Sequence, residues 1–201
     1  MTKTSQKTRT LVEIGMLGAI ATILMLFEFP IPFLAPPFYE LDFSEVPVLV
    51  GAFALGPMAG ATIELIKILI NLMVNGTATA FVGEIGNYLL GCSFIIPTAL
   101  IYKKKKSKKI AMIAMIVGTI TMTVFGCVLN AYVLLPTYAA AFGMPIDAII
   151  ELGSAINGNI TDVMTFVILA VAPFNILKGM IVSVITLLIY KHISPILKGN
   201  R

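Results

Sequence analysis

Five long apolar runs divide the chain, at 11–27, 46–74, 81–102, 110–135 and 165–190, with short polar breaks between them. Counted simply, they predict five membrane-crossing helices, because about 20 apolar residues span a bilayer core. One run does not read as a single helix. Gly56-Pro57 interrupts 46–74, and proline strongly disfavours helix continuation at that point. Splitting there leaves Val46–Leu55 and Pro57–Val74, six segments in all. Val46–Leu55 is about 15 Å long, half of a roughly 30 Å core, so it must be tilted, extended by flanking turns or shielded by neighbours. Ser44, ahead of Glu45-Val46-Pro47, is the expected N-cap of this short helix.

Charge separates five spans from six. With six segments and a cytoplasmic N-terminus, 12 of the 14 basic residues fall on one side: Lys3, Lys7 and Arg9, then Lys103–Lys106, Lys108 and Lys109, then Lys191, Lys198 and Arg201. The opposite connections, 28–45, 75–80 and 136–164, hold no Lys or Arg but do hold Glu28, Glu40, Asp42, Glu45, Asp147, Glu151 and Asp162. Five spans would put the Lys103–Lys109 cluster outside, against the positive-inside rule. The expected fold is therefore all-α and polytopic. It is a single integral membrane domain, 1–201, with six transmembrane helices at about 10–29, 45–56, 57–74, 81–102, 110–135 and 165–191, and with N- and C-termini cytoplasmic. The proline- and aromatic-rich 28–45 segment reads as stiff and partly buried. The 136–164 connection reads as the longest loop, a lid candidate with an amphipathic stretch at Pro145–Leu152.

Composition agrees. The chain is 58% hydrophobic and only 12% charged, against about 25% charged in soluble domains. Its net charge of +4 lies in the flanks of spans and reads as topogenic, with no nucleic-acid partner implied. Cys92 and Cys127 lie in apolar runs without His or a second Cys at ligand spacing, so neither a disulfide nor a metal is expected. Glu28–Pro37 does not resemble a signal-peptide cleavage site, so the first run is expected to be a span. The chain has no His-Glu-x-x-His, Gly-x-Ser-x-Gly, phosphate-binding Gly-x-x-x-x-Gly-Lys loop or paired intramembrane aspartates. An enzyme is not expected. Energy for any transport must come from ion coupling or from a separate ATPase.

The polar residues inside the runs carry the chemistry. Lys178 lies deep in the last run, where an ionised group costs a few kcal/mol, about 2.5–3.5 on insertion scales. Asn175 is three residues earlier on the same helix face, Pro173 frees a carbonyl nearby, and Gly179 permits close approach. Glu64, Lys67 and Asn71 share one stripe of the third segment, and Glu64 and Lys67 can pair. Glu84, Asn87 and Asn130 sit toward the outer ends of the fourth and fifth segments. Singly, each reads as interhelical glue or a structural ion pair. Together, polar faces on four spans beneath two ordered external segments predict a ligand cavity open to the outside. On the first span, Gly15 and Ala19, then Gly18 and Thr22, form small-x-x-x-small pairs that either pack internally or present a smooth surface to another membrane protein.

Tyr-Glu-Leu-Asp-Phe-Ser-Glu-Val-Pro (39–47), Gly-Pro-Met-Ala-Gly-Ala (56–61), Glu-Leu-Ile-Lys (64–67), Leu-Asn-Ala-Tyr-Val-Leu-Leu-Pro-Thr-Tyr (129–138) and Pro-Phe-Asn-Ile-Leu-Lys-Gly (173–179) occur in this order. Over about 8–195 the chain resembles the riboflavin-binding S components of energy-coupling factor (ECF) transporters. The resemblance implies six helices in a bacterial plasma membrane that capture riboflavin from outside, with FMN as a second candidate ligand. It also implies a transmembrane coupling protein and two cytoplasmic ATPases as partners, with no cofactor. The flavin's polar edge would meet the Leu41 backbone, Asn130 and Lys178, the Thr77-Ala78 loop would line the cavity, and Gly15 and Ala19 would face the coupling protein. With the polar stripe, the expected ligand-binding set is Leu41, Glu64, Lys67, Thr77, Ala78, Asn87, Asn130, Asn175 and Lys178. The residues alone also admit other planar ligands, with Phe38, Tyr39, Phe43 and Tyr132 as enclosing rings. The other function they admit is an autonomous proton-coupled secondary carrier of a small planar polar metabolite.

Overall fold

The computed structural model describes residues 3–77 and 79–198. It is all-α apart from one short pairing, Phe29–Pro30 (β1) antiparallel to Glu40–Leu41 (β2). The first helix, α1 (Lys3–Met25), is followed by the β1–β2 segment and the short α2 (Glu45–Leu55). Next come α3 (Pro57–Asn75), α4 (Val82–Lys104) and α5 (Lys108–Leu129). Among the described residues, five continuous helical stretches are long and apolar enough to cross a membrane: Gln6–Met25, Pro57–Asn75, Val82–Lys104, Lys108–Phe142 and Val163–Ile189. The protein is thus an all-α integral membrane protein.

Gly56 separates α2 from α3 with φ +105°, a conformation that suits glycine, and Pro57 opens α3 where no intrahelical N–H is needed. Eleven residues do not cross a bilayer, and α2 is shielded by its neighbours: it packs on α1, α3, α4 and on the last helix. Its start differs from expectation, because the Ser44 side chain makes no capping bond. The Ser44 N–H instead donates to Asp42 Oδ1 at 2.6 Å.

The 136–164 connection is shorter than the apolar runs suggest. After Leu129 the helix widens into a π turn, Asn130–Leu134, and runs on through α6 (Leu135–Phe142). A second external helix, α7 (Ile146–Ser154), occupies the amphipathic stretch. The last span repeats the device: α8 (Val163–Phe166), a π turn at Val167–Val171, then α9 (Ala172–Lys198). Each π turn ends two residues before a proline, Pro136 or Pro173. The widened turn absorbs the missing N–H, so neither proline stops its helix. Cys127 meets this region through Sγ, 3.5 Å from the Val167 carbonyl.

The buried core has two parts. One, including Leu49, Phe53, Ile63, Phe94, Tyr102, Met115 and Val182, fills the bundle toward the lysine-rich α4–α5 turn. The other, including Ile31, Leu41, Leu135, Ile149, Ile160, Phe166 and Phe174, lies under the β1–β2 segment and α7. Close helix approach joins them. A Cβ on Gly179 would fall 2.5 Å from Thr119 Oγ1, so only hydrogen lets α9 seat against α5.

The faces of α1 also separate. A Cβ on Gly18 would meet Ile66 at 2.7 Å and Thr22 is buried, so this small pair packs against α3. Gly15 and Ala19 are exposed, with nothing within 4 Å of a Cβ on Gly15.

A carboxylate-rimmed cavity between the two cores

A cavity of about 240 Å³ lies where the two cores meet, bordered by Met122 from one and Phe174 from the other. Its wall is built by several elements: Glu28, Phe38, Tyr39 and Glu40 from the β1–β2 segment, Asn71 and Asn75 from α3, Glu84 and Asn87 from α4, Asn130 and Tyr138 from the fifth helix, and Asn175 and Lys178 from α9.

The two π turns help aim this wall. Asn130 begins the first, is fully buried, and donates from Nδ2 to the Gly126 carbonyl at 2.8 Å while accepting from the Tyr39 hydroxyl. Burial pushes the Tyr39 hydroxyl well above its ordinary pKa, so it remains a donor. Asn175, one turn beyond the second π segment, donates to the Val171 carbonyl at 3.0 Å. Tyr39 also packs near Phe166 and Phe174, and Phe38 near Tyr138, giving the cavity an aromatic side.

Beneath the cavity lies a buried ionic layer. Lys67 is fully buried, with Nζ 2.7 Å from Glu64 and 3.0 Å from Glu45, both also buried. Gly91 is the seam of this cluster: a Cβ there would lie 2.7 Å from Glu64 Cδ and 3.1 Å from Glu45 Oε1. Lys178 Nζ is held 3.1 Å from Asp42 Oδ2, which ties the β1–β2 segment to a helix 136 residues further along. Burial alone would raise the Asp42 carboxyl, but Lys178, Lys67 and the Ser44 hydrogen bonds outweigh it and hold it at about 2. Glu28 goes the other way: burial, then Glu40 and Asp42, push it up to about 7.

Of the residues expected from sequence, Asn87, Asn130, Asn175 and Lys178 lie together on the wall. Others do not. Glu64 and Lys67 are sealed below it, with Lys67 paired to both Glu64 and Glu45. Leu41 is buried in the outer core, although Tyr39 and Glu40 beside it reach the cavity. Thr77 turns inward on its own loop, its Oγ1 accepting from Thr79 N and Phe81 N. Ala78 lies outside the described residues. Tyr132, expected to enclose a ring, is 71% exposed on the bundle's outer surface, and Phe43 packs on Phe29 instead. Tyr138 and Phe174 line the cavity.

Sequence reasoning missed Asp42 and Glu45 as partners of the buried lysines. One signal was available. A helix of eleven residues cannot cross a bilayer alone and is shielded inside the bundle, so the acid in its first turn, Glu45, is buried and needs a counter-charge.

Residues 9–190 match the family described as "ECF transporter, substrate-specific component". The chain is 37% identical over 193 residues to riboflavin transporter RibU of Staphylococcus aureus, covering 96% of this chain and 94% of that one. It is 33% identical over 196 residues to riboflavin transporter FmnP of Bacillus subtilis, covering 97% of each. Among solved structures, one described as "Structure and mechanism of the S component of a bacterial ECF transporter" superposes with TM-score 0.75 at 36% identity, over 96% of this chain and 99% of the other.

Proposed function

The chain belongs to the family of ECF transporter substrate-specific components, and on that premise we propose that it captures riboflavin from outside a bacterial plasma membrane. A transmembrane coupling protein and two cytoplasmic ATPases then drive its release inward. The carrying observation is the cavity itself: Phe38, Tyr39, Tyr138 and Phe174 line one space together with Asn87, Asn130, Asn175 and Lys178. A flavin has the matching asymmetry, a largely apolar ring with one edge of carbonyls and ring nitrogens. A lysine donates to those carbonyls, and an asparagine exchanges two hydrogen bonds with the imide.

Six spans follow if α2 and its flanking turns complete the second crossing. The lysine-rich ends of α1, α4 and α9 are then cytoplasmic and the cavity opens outward. Gly15 and Ala19, exposed on α1 while Gly18 is filled by Ile66, form a smooth stripe suited to the coupling protein. Purification in mild detergent, a visible absorption spectrum and a riboflavin titration followed by fluorescence quenching test the proposal. The expected result is saturable quenching at one flavin per chain. A colourless preparation with no quenching overturns the ligand.

One observation favours the carrier alternative: two carboxylates, Glu45 and Glu64, share the single buried Lys67, a place where a proton can reside. Liposomes containing this chain alone decide the point. Uptake driven by a proton gradient without ATP would favour the carrier, and its absence favours the coupled transporter.

A further inference from the structure

The end of the bundle away from the cavity carries a charge that the chain does not answer. Six lysines, Lys103–Lys106, Lys108 and Lys109, crowd the turn between α4 and α5, and all six are exposed. No Asp or Glu occurs from 85 to 146, so neither helix brings an acid of its own to them. At the same end α1 carries one acid, Glu13, and Arg9 already holds it at 2.7 Å.

The turn is fixed in the bundle and its depth follows from helix length. Glu84, on the cavity wall, and Lys104 lie about 30 Å apart along α4 at 1.5 Å rise per residue, the thickness of a hydrocarbon core. With the cavity at one headgroup level, the lysines stand at the other. Tyr102, buried just before them, packs its ring 4.2 Å from that of Phe53, and Ala111 and Ala114 are buried just after them. About one turn into each helix, Leu100, Met112 and Ile113 are exposed and apolar, as side chains facing lipid are. The cluster therefore rides on a rigid corner at the boundary between hydrocarbon and headgroups.

Two of the lysines are placed against local electrostatics. Lys103 and Lys104, in the last turn of α4, complement its dipole. Lys108 and Lys109 stand in the first turn of α5, which holds no acid and where the positive end of the dipole repels them. Ser107 accepts from the Ile110 N–H at 3.3 Å, while the Lys108 and Lys109 N–H groups, at the first two helical positions, have no acceptor within the helix. The arrangement costs α5 stability unless an anion from outside the chain answers it.

We infer that the α4–α5 turn binds anionic phospholipid headgroups of the inner leaflet, which pin this corner of the bundle to the membrane surface. An anionic leaflet supplies phosphates at the depth where the lysines stand, and each lysine near such a surface adds to the attraction. The inference rests on the six-span orientation and is independent of the ligand.

The test is thermal unfolding of the full-length purified chain in a neutral detergent, titrated with phosphatidylglycerol or with phosphatidylcholine. Phosphatidylglycerol should raise the melting temperature by about 3 °C or more beyond phosphatidylcholine. Molar salt should remove most of that difference by screening. Inorganic phosphate at the same concentration should not reproduce it, because a free anion is not held at the surface by acyl chains. Lys105→Gln/Lys106→Gln/Lys108→Gln/Lys109→Gln, which keeps Lys103 and Lys104 to hold topology, should lose most of the difference. The corresponding four Lys→Arg changes and Lys7→Gln should keep it. Equal gains with the two lipids overturn the inference, and so does a difference that neither salt nor the glutamine variant reduces. If the lipids act alike while the glutamine variant binds riboflavin but fails in uptake with the partner subunits, the cluster serves a protein surface and the lipid reading falls. If the glutamine variant does not fold, the lipid comparison and its salt dependence on the parent chain still decide. Riboflavin titration of the same samples reads the flavin proposal separately, so either can fail alone.

Discussion

Replacing Lys178 with methionine separates what the lysine does for the fold from what it does for the ligand. In the fold it is the counterion of Asp42, which is 1% exposed and held at about 2 against an ordinary 3.8. A carboxyl lowered in this way contributes stability that is present above its unfolded pKa and lost as pH falls toward about 2. At neutral pH that contribution is roughly 2 kcal/mol. Lys178→Met removes it and strands a buried carboxylate, so the full loss approaches the about 3–5 kcal/mol of breaking one side of a buried pair. The double variant Asp42→Asn/Lys178→Met leaves no unpaired charge, and its new amide oxygen still accepts from the Ser44 N–H. It should therefore regain most of the lost stability. Binding should not recover with it: with the flavin's carbonyl acceptors unpaired, affinity should stay about 1–3 kcal/mol weaker, or roughly 5- to 150-fold. Thermal unfolding in detergent and riboflavin titration on the same samples read the two effects. A double variant that is stable and binds like the parent would remove Lys178 from the site. A single variant as stable as the parent would show that the ion pair contributes nothing.

Lys67→Met should be more damaging than Lys178→Met, because it leaves two buried carboxylates unpaired; adding Glu45→Gln and Glu64→Gln should recover much of the melting temperature, and no recovery would refute the ionic layer as drawn. Gly118→Ala should cost about 1–3 kcal/mol, because its Cβ would collide with the Thr98 hydroxyl and lie 2.8 Å from the Phe94 carbonyl; an unchanged melting temperature would contradict the α4–α5 seating. Gly15→Leu or Ala19→Leu should leave riboflavin binding intact while abolishing uptake with the partner subunits; loss of binding in a folded variant would mean that this face packs internally. Glu28 is raised to about 7 from 4.5, so the folded chain holds that proton more tightly than the unfolded one and stability should fall as pH rises from about 4.5 through 7. Glu28→Gln should flatten that slope in a pH series of melting temperatures, and an unaltered slope would assign it to other groups.

Much of this protein is legible in local pattern, because local features dictated it. Apolar runs long enough for a bilayer had to be helices, Gly56-Pro57 had to end one of them, and twelve basic residues in three flanks define one end of the bundle. The three-residue spacing of Asn175 and Lys178 put both on the cavity wall for the same reason: helix geometry alone relates them. Contacts between distant residues were not legible. Asp42 meets Lys178 across 136 residues, and Glu45 reaches Lys67 because a short helix is pulled inside the bundle. Nor did the pattern tell inward from outward faces. In a soluble helix the polar face marks solvent, but here lipid and core are equally apolar, so Tyr132 and Tyr138 look alike in sequence. Tyr132 lies within the π turn itself and Tyr138 in α6 beyond it, so the widened turn shifts the phase between them, and the packed bundle sends Tyr132 outward and Tyr138 to the cavity. The same ambiguity applies to the small pairs on α1: only the tertiary packing puts Ile66 against Gly18 and leaves Gly15 open.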